Sequence, residues 1–125
     1  MGTGRSEVNF TNGTQTTIYV AYMRLDYGCQ STCGDPWDVL GWIVLSPGET
    51  KIRANETKNR WFYYYAEDAN GGVYGGDYVA EVMEERFEKC TCLGVVVTNG
   101  PSTNPYHDVG FDVLDTQTYS GVNFG

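Results

Sequence analysis

The chain has 125 residues, with sixteen Asp and Glu against eight Lys and Arg, for a net charge of −8. That length suits a single domain, residues 1–125, able to bury about two-thirds of its unfolded surface. The charge argues against nucleic acid and anionic membrane as partners, leaving cations, sugars and proteins, and no apolar run reaches the ~18 residues that membrane insertion by a helix needs.

Ten Tyr and sixteen Gly, with recurring Thr and Val, point to strands and tight turns. Residues 1–6 read as a flexible or added start, with no hydrophobic signal segment behind them. "EVNFT" is the first strand, closed by a hairpin turn at Asn12-Gly13. In "QTTIYVAYMRLD" apolar residues fill both registers from Ile18 to Met23, as in a central strand covered on both faces. The loop "YGCQSTCGDPWD" follows, then a second central strand, "VLGWIVL", ended by a type II turn at Pro47-Gly48. "TKIRA" alternates as a strand with one wet face.

Next comes "RWFYYYAED", with five consecutive aromatics, and then a hairpin turn at Asn70-Gly71. Residues 78–90 fit either a short helix capped by Asp77 or a strand in which Tyr78, Ala80 and Val82 alternate. "LGVVVTNG" is a strand, "PSTNPYHD" a loop, and "VGFDVLD" with "YSGVNF" a closing hairpin. This spacing predicts an all-β fold, an antiparallel β-sandwich of about eight short strands with at most that one helix.

The cysteines fall into two tight pairs, Cys29/Cys33 and Cys90/Cys92. In an extended "CTC" the Cα atoms of Cys90 and Cys92 lie about 6.5–7 Å apart, at or past the limit for a bridge. Two disulfides from the 29–33 loop to the 90–92 segment follow, in either of two registers. A four-thiolate zinc site is the alternative, although "CTC" is too tight for the usual knuckle. Disulfides imply an oxidising, extracytoplasmic compartment, periplasmic or secreted. Three N-x-S/T sequons, at Asn9, Asn12 and Asn55, matter only in a glycosylating host.

Several segments together resemble a bacterial domain family of unknown function, DUF1036: "FTN" with "TIYVAY", "LGWIVLSPGET", "FYYYAED" and "VGFDVLDT", in that order. The resemblance implies a short, all-β, often exported protein and brings no catalytic residues with it. The two cysteine pairs are not part of it.

Nothing in the chain marks a catalytic constellation. The sole histidine, His107, has Asp108 beside it but no G-x-S-x-G or paired nucleophile. The carboxylates show no spacing that marks a glycosidase pair. "EDANGGVYGGD" has calcium-loop composition without calcium-loop order, so no metal and no cofactor is expected. The chain reads as non-enzymatic.

The aromatic run carries the functional expectation. As a strand it places Phe62, Tyr64 and Ala66 on one face and Trp61, Tyr63 and Tyr65 on the other. The first set suits a core. The second, joined by Trp37, would form an outward aromatic patch for a carbohydrate or protein ligand, unless the 29–38 loop folds over it. The rival class is a structural or adhesive subunit, in which the similar ends "EVNF" and "GVNF" act as edge strands that build a homo-oligomer or filament.

Overall fold

The computed structural model describes residues 4–33, 36–91 and 106–125. Among these the chain forms β1 (Glu7–Asn12), β2 (Ile18–Leu25), α1 (Tyr27–Cys33), β3 (Trp37–Leu45), β4 (Thr50–Ala54) and β5 (Trp61–Asp68). They are followed by β6 (Val73–Tyr74), β7 (Tyr78–Met83), β8 (Phe87–Thr91), β9 (Tyr106–Asp115) and β10 (Gly121–Phe124). The fold is all-β.

Three strands, ordered β10-β1-β4, make one sheet, and seven make the other, ordered β7-β9-β5-β2-β3-β8 with β6 on β5. β2 lies between β3 and β5, as its doubly apolar sequence requires. Every pairing in the large sheet is antiparallel, whereas β1 and β10 run parallel.

The large sheet is buried on both faces. On one, Ile18, Val20, Tyr22, Ile43, Leu45, Phe62 and Ala66 meet Val8, Phe10 and Phe124 of the small sheet. On the other, Ala21, Met23, Val39 and Tyr65 meet Ala80, Val82, Phe87 and Phe111 from the same sheet. That second core exists because the sheet curls nearly into a barrel. The Trp42 indole N–H of β3 donates to the Met83 carbonyl at the end of β7, 2.7 Å away, drawing distant strands together. A register shift between Val20 and Ala21 leaves Trp42 without a ladder partner on β2, as a β-bulge does. Gly41 is needed here, since a Cβ at that position would run into the Phe87 ring.

Several expectations are corrected. The Asn12-Gly13 turn does not form a hairpin, because β1 and β2 enter different sheets. Asn12 instead turns inward, fully buried, and its amide donates to the carbonyls of Thr16 and Leu45. β9 and β10 do not pair with each other either, and the "EVNF" and "GVNF" ends are parallel neighbours. Residues 78–90 hold no helix but two strands, β7 and β8, split by the charged bend at 84–86.

The one helix among the described residues is α1, within the expected cysteine loop, where Asp26 caps it by accepting from the Gly28 N–H at 2.9 Å. His107 lies on β9 rather than in a loop. The Pro47-Gly48 turn forms, with Gly48 at φ 80° and the Glu49 N–H donating to the Ser46 carbonyl. The turn at Asn70-Gly71 also forms, but only Gly71 takes positive φ, and Asp68 braces it by accepting from Asn70 and Gly72 N–H groups. The expected strand at 93–100 and the start of the loop at 101–105 lie outside the described residues.

Candidate functional site

The aromatic strand β5 divides its rings between two cores and the surface. Phe62 and Ala66 are fully buried, and Tyr64 lies half-buried beside them, its hydroxyl donating to Asp112 at 3.1 Å. Burial, followed by the Asp112 carboxylate, pushes the Tyr64 hydroxyl up to about 12.

The opposite face does not form the continuous patch expected of Trp37, Trp61, Tyr63 and Tyr65. Tyr65 is only 5% exposed, packed between Trp42 and Phe111, with its hydroxyl donating to Glu67 at 2.7 Å. Its burial, reinforced by Glu67, raises its pKa. Among the described residues the cover over Tyr65 comes from β7, β8 and β9 as the sheet curls, while Trp37, at the end of the 29–38 segment, packs against the same cluster. Trp61 remains exposed at the far end of the strand, where Arg60 lies 4.5 Å from its ring centre.

Two of the four expected residues do come together. Trp37, the first residue of β3, meets Tyr63 edge to face with ring centres 5.3 Å apart. Tyr78 of β7 continues the series, 5.0 Å from Tyr63 and again steeply inclined. These rings line an open groove of about 410 Å³, with Met23 and Val79 beside them and Asp77 at the rim. Burial and then the neighbouring Tyr78 raise the Tyr63 pKa. Sequence reasoning missed Tyr78, although its place in the alternation with Ala80 and Val82 was a usable signal. Ala80 and Val82 point into the core, and Tyr78 is half exposed at the entrance.

Cys29 and Cys90 form a disulfide with Cα atoms 5.3 Å apart, joining α1 to β8. This removes two of the four thiolates the zinc alternative needed. Whether Cys33 bonds to Cys92 lies outside the described residues. Beside the bridge, Asp38 is buried, and its Oδ2 has no hydrogen-bond partner. Oxygens of Asp26, Asp38 and Glu88 gather within 4.8 Å of one another. Arg24 already supplies positive charge there, 3.8 Å from Asp38 and 4.0 Å from Glu88.

Two further recesses among the described residues lie around Trp42. One, of about 550 Å³, opens between β3, β4 and β8; another, of about 670 Å³, holds Tyr19, Glu67, Glu84 and His107, and the two share Trp42, Val44 and Arg86. His107 is exposed in the second and Asp108, the next residue on the strand, faces the other way. No hydrogen bond between them is formed, so they do not constitute a base and its orienting partner. Among the described residues no helix is long and apolar enough to cross a membrane. Of the sequon residues, Asn12 and Asn55 are buried with their amides donating to backbone carbonyls, which leaves Asn9 alone partly accessible.

Family models, curated proteins and solved structures were all compared with the chain, and none matches.

Proposed function

We propose that this domain is a non-enzymatic, extracytoplasmic binding module, and that the Trp37–Tyr63–Tyr78 groove receives a carbohydrate. The observation that carries this reading is the series of three inclined rings along one open groove, with an exposed carboxylate at its rim. Sugar rings bury their C–H faces on aromatic surfaces while their hydroxyls need acceptors and donors at the edge, which Asp77 and the tyrosine hydroxyls provide. The disulfide supports a compartment outside the cytoplasm. Membership of the DUF1036 family is compatible with that reading and rests on the sequence segments alone.

The test is calorimetric titration with short neutral oligosaccharides of glucose, mannose and N-acetylglucosamine. One of them is expected to bind, with affinity falling at least tenfold in Tyr78→Ala and in Trp37→Ala. No saturable binding at millimolar sugar, or binding indifferent to both changes, overturns the reading.

A second reading, self-assembly through strand edges, is favoured by one observation. β4 and β10 each pair on one side only among the described residues, with β1 between them. Light scattering at rising concentration decides it: growth of particles supports assembly, and a constant monomer mass removes it.

A further inference from the structure

We infer that the recess between β3, β4 and β8 is an oxyanion site, built for the carboxylate of a small organic acid seated against Tyr22, Leu40 and Ile43. The inference is independent of the aromatic groove, which lies at the Trp37 end of the large sheet. Acidic residues outnumber basic ones by sixteen to eight in this chain, so an arbitrary recess should be lined mainly by carboxylates. This one reverses the ratio: Lys51, Arg53 and Arg86 line it against Glu88 alone. Two sheets and a bend converge to bring those cations together, since Lys51 and Arg53 stand on β4 and Arg86 precedes β8.

The cations retain donors for a ligand. The Lys51 ammonium donates to the Val44 carbonyl at 2.9 Å, which fixes its position and leaves two of its three N–H groups. Arg53 donates from Nη1 to the Ile52 carbonyl at 2.9 Å, leaving the rest of its fork. Arg86 is exposed at the mouth. Glu88 is drawn to Arg24, 4.0 Å away, which lessens its repulsion of an incoming anion. Beside these charges stand Tyr22, Leu40 and Ile43, on the face of the large sheet that meets the small one. Such a surface suits an organic body better than a bare ion.

The apolar wall, rather than charge, selects among anions, because it offers area to an organic body that inorganic phosphate lacks. An acidic sugar of the uronic type has a carboxylate for the cations and a ring to set on that wall.

The test is titration of the full chain with D-glucuronate at constant ionic strength, read by calorimetry and tryptophan fluorescence, with D-glucose and inorganic phosphate run beside it. Saturable glucuronate binding is expected, absent with glucose, weaker with phosphate, and reduced at least tenfold in Arg86→Gln and in Lys51→Gln. Arg86 is exposed, so its replacement leaves the fold intact. Tyr78→Ala should leave this binding unchanged, which separates the two sites. No glucuronate binding, equal binding of glucose, tighter binding of phosphate, or full affinity in both Gln variants overturns the proposal.

Discussion

Asp38 offers the sharpest quantitative test of this structure, because its titration gives stability an unusual pH dependence. Its side chain is 2% exposed, and burial, followed by Glu88, pushes its carboxyl up to about 8 despite the opposing pull of Arg24. An unfolded chain returns it to about 3.9. Between those values the native state holds a proton that the unfolded state has released, so stability falls as pH rises. The contribution is complete below about pH 4 and gone above about pH 8. The limiting slope is about 1.4 kcal/mol per pH unit, or about 4 kcal/mol between pH 5 and 8. Glu88 is 56% exposed and Arg24 22%, so water reaches the cluster and about half that figure, near 2 kcal/mol, is expected. Asp38→Asn keeps the shape and removes the titration. Urea unfolding should show wild type and variant nearly equal at pH 5, with the variant ahead by about 2 kcal/mol at pH 8. Asp38 is not a buried acid of this kind if the gap between the two proteins stays constant across that range.

The other predictions concern covalent and backbone constraints. Cys29 and Cys90 are 61 residues apart, so closing that loop restricts the unfolded chain by about 4 kcal/mol; Cys29→Ala with Cys90→Ala should lose most of this in denaturant melts, and a loss under about 1 kcal/mol would refute the linkage. Gly41→Ala should displace the Phe87 ring and cost about 2–3 kcal/mol, with Trp42 fluorescence changed in the folded state; unchanged stability would mean that the ring moves freely. Lys58 is exposed at φ 53°, where a side chain is strained, so Lys58→Gly should stabilise by about 0.5–1 kcal/mol, whereas a loss in the thermal melt would contradict this. Asp115 is held at about 2, first by its bidentate bond from Arg60. A depressed native pKa stabilises above about pH 4, and that contribution is lost as pH falls towards 2, so Arg60→Gln should lower stability at pH 7–8 and converge with wild type near pH 2; equal stability of the two proteins at pH 8 would refute this.

Strand positions were legible where the pattern had a local cause. Ile18 to Met23 reads as doubly covered because both of its registers are apolar, and β2 is indeed central. Pro47-Gly48 names its own turn. Pairing was less legible, because it depends on which sheet a strand joins. Asn12-Gly13 has hairpin chemistry, yet the Asn12 side chain is consumed inside the protein holding the Thr16 and Leu45 carbonyls, and the chain changes sheets there. In residues 78–90 a helix capped by Asp77 and an alternating strand both fit the sequence. Val79 is exposed on a strand edge, while the buried residues are Ala80 and Val82, two apart. The missed helix α1 did carry a signal in Asp26, whose carboxylate caps its first turn.

The division of the aromatic strand follows from curvature rather than from residue type. A flat two-layer sandwich has one inner face per strand, which is why Trp61, Tyr63 and Tyr65 read together as outward. Once the large sheet curls, its other face becomes a second interior whose depth varies along β5. Tyr65 sits opposite Ala21, deep within the curl, and is covered by Trp42 and Phe111. Tyr63 sits opposite Met23, nearer the mouth, where Trp37 and Tyr78 flank it. Trp61 pairs with Asp115 beyond the mouth, with the Arg60 guanidinium over its ring. Residues of one type at identical spacing thus become core, groove wall and surface in turn. The wall position is the one that leaves ring area fixed in place and still open to a ligand, which is why Tyr63, rather than the more exposed Trp61, anchors the proposed site.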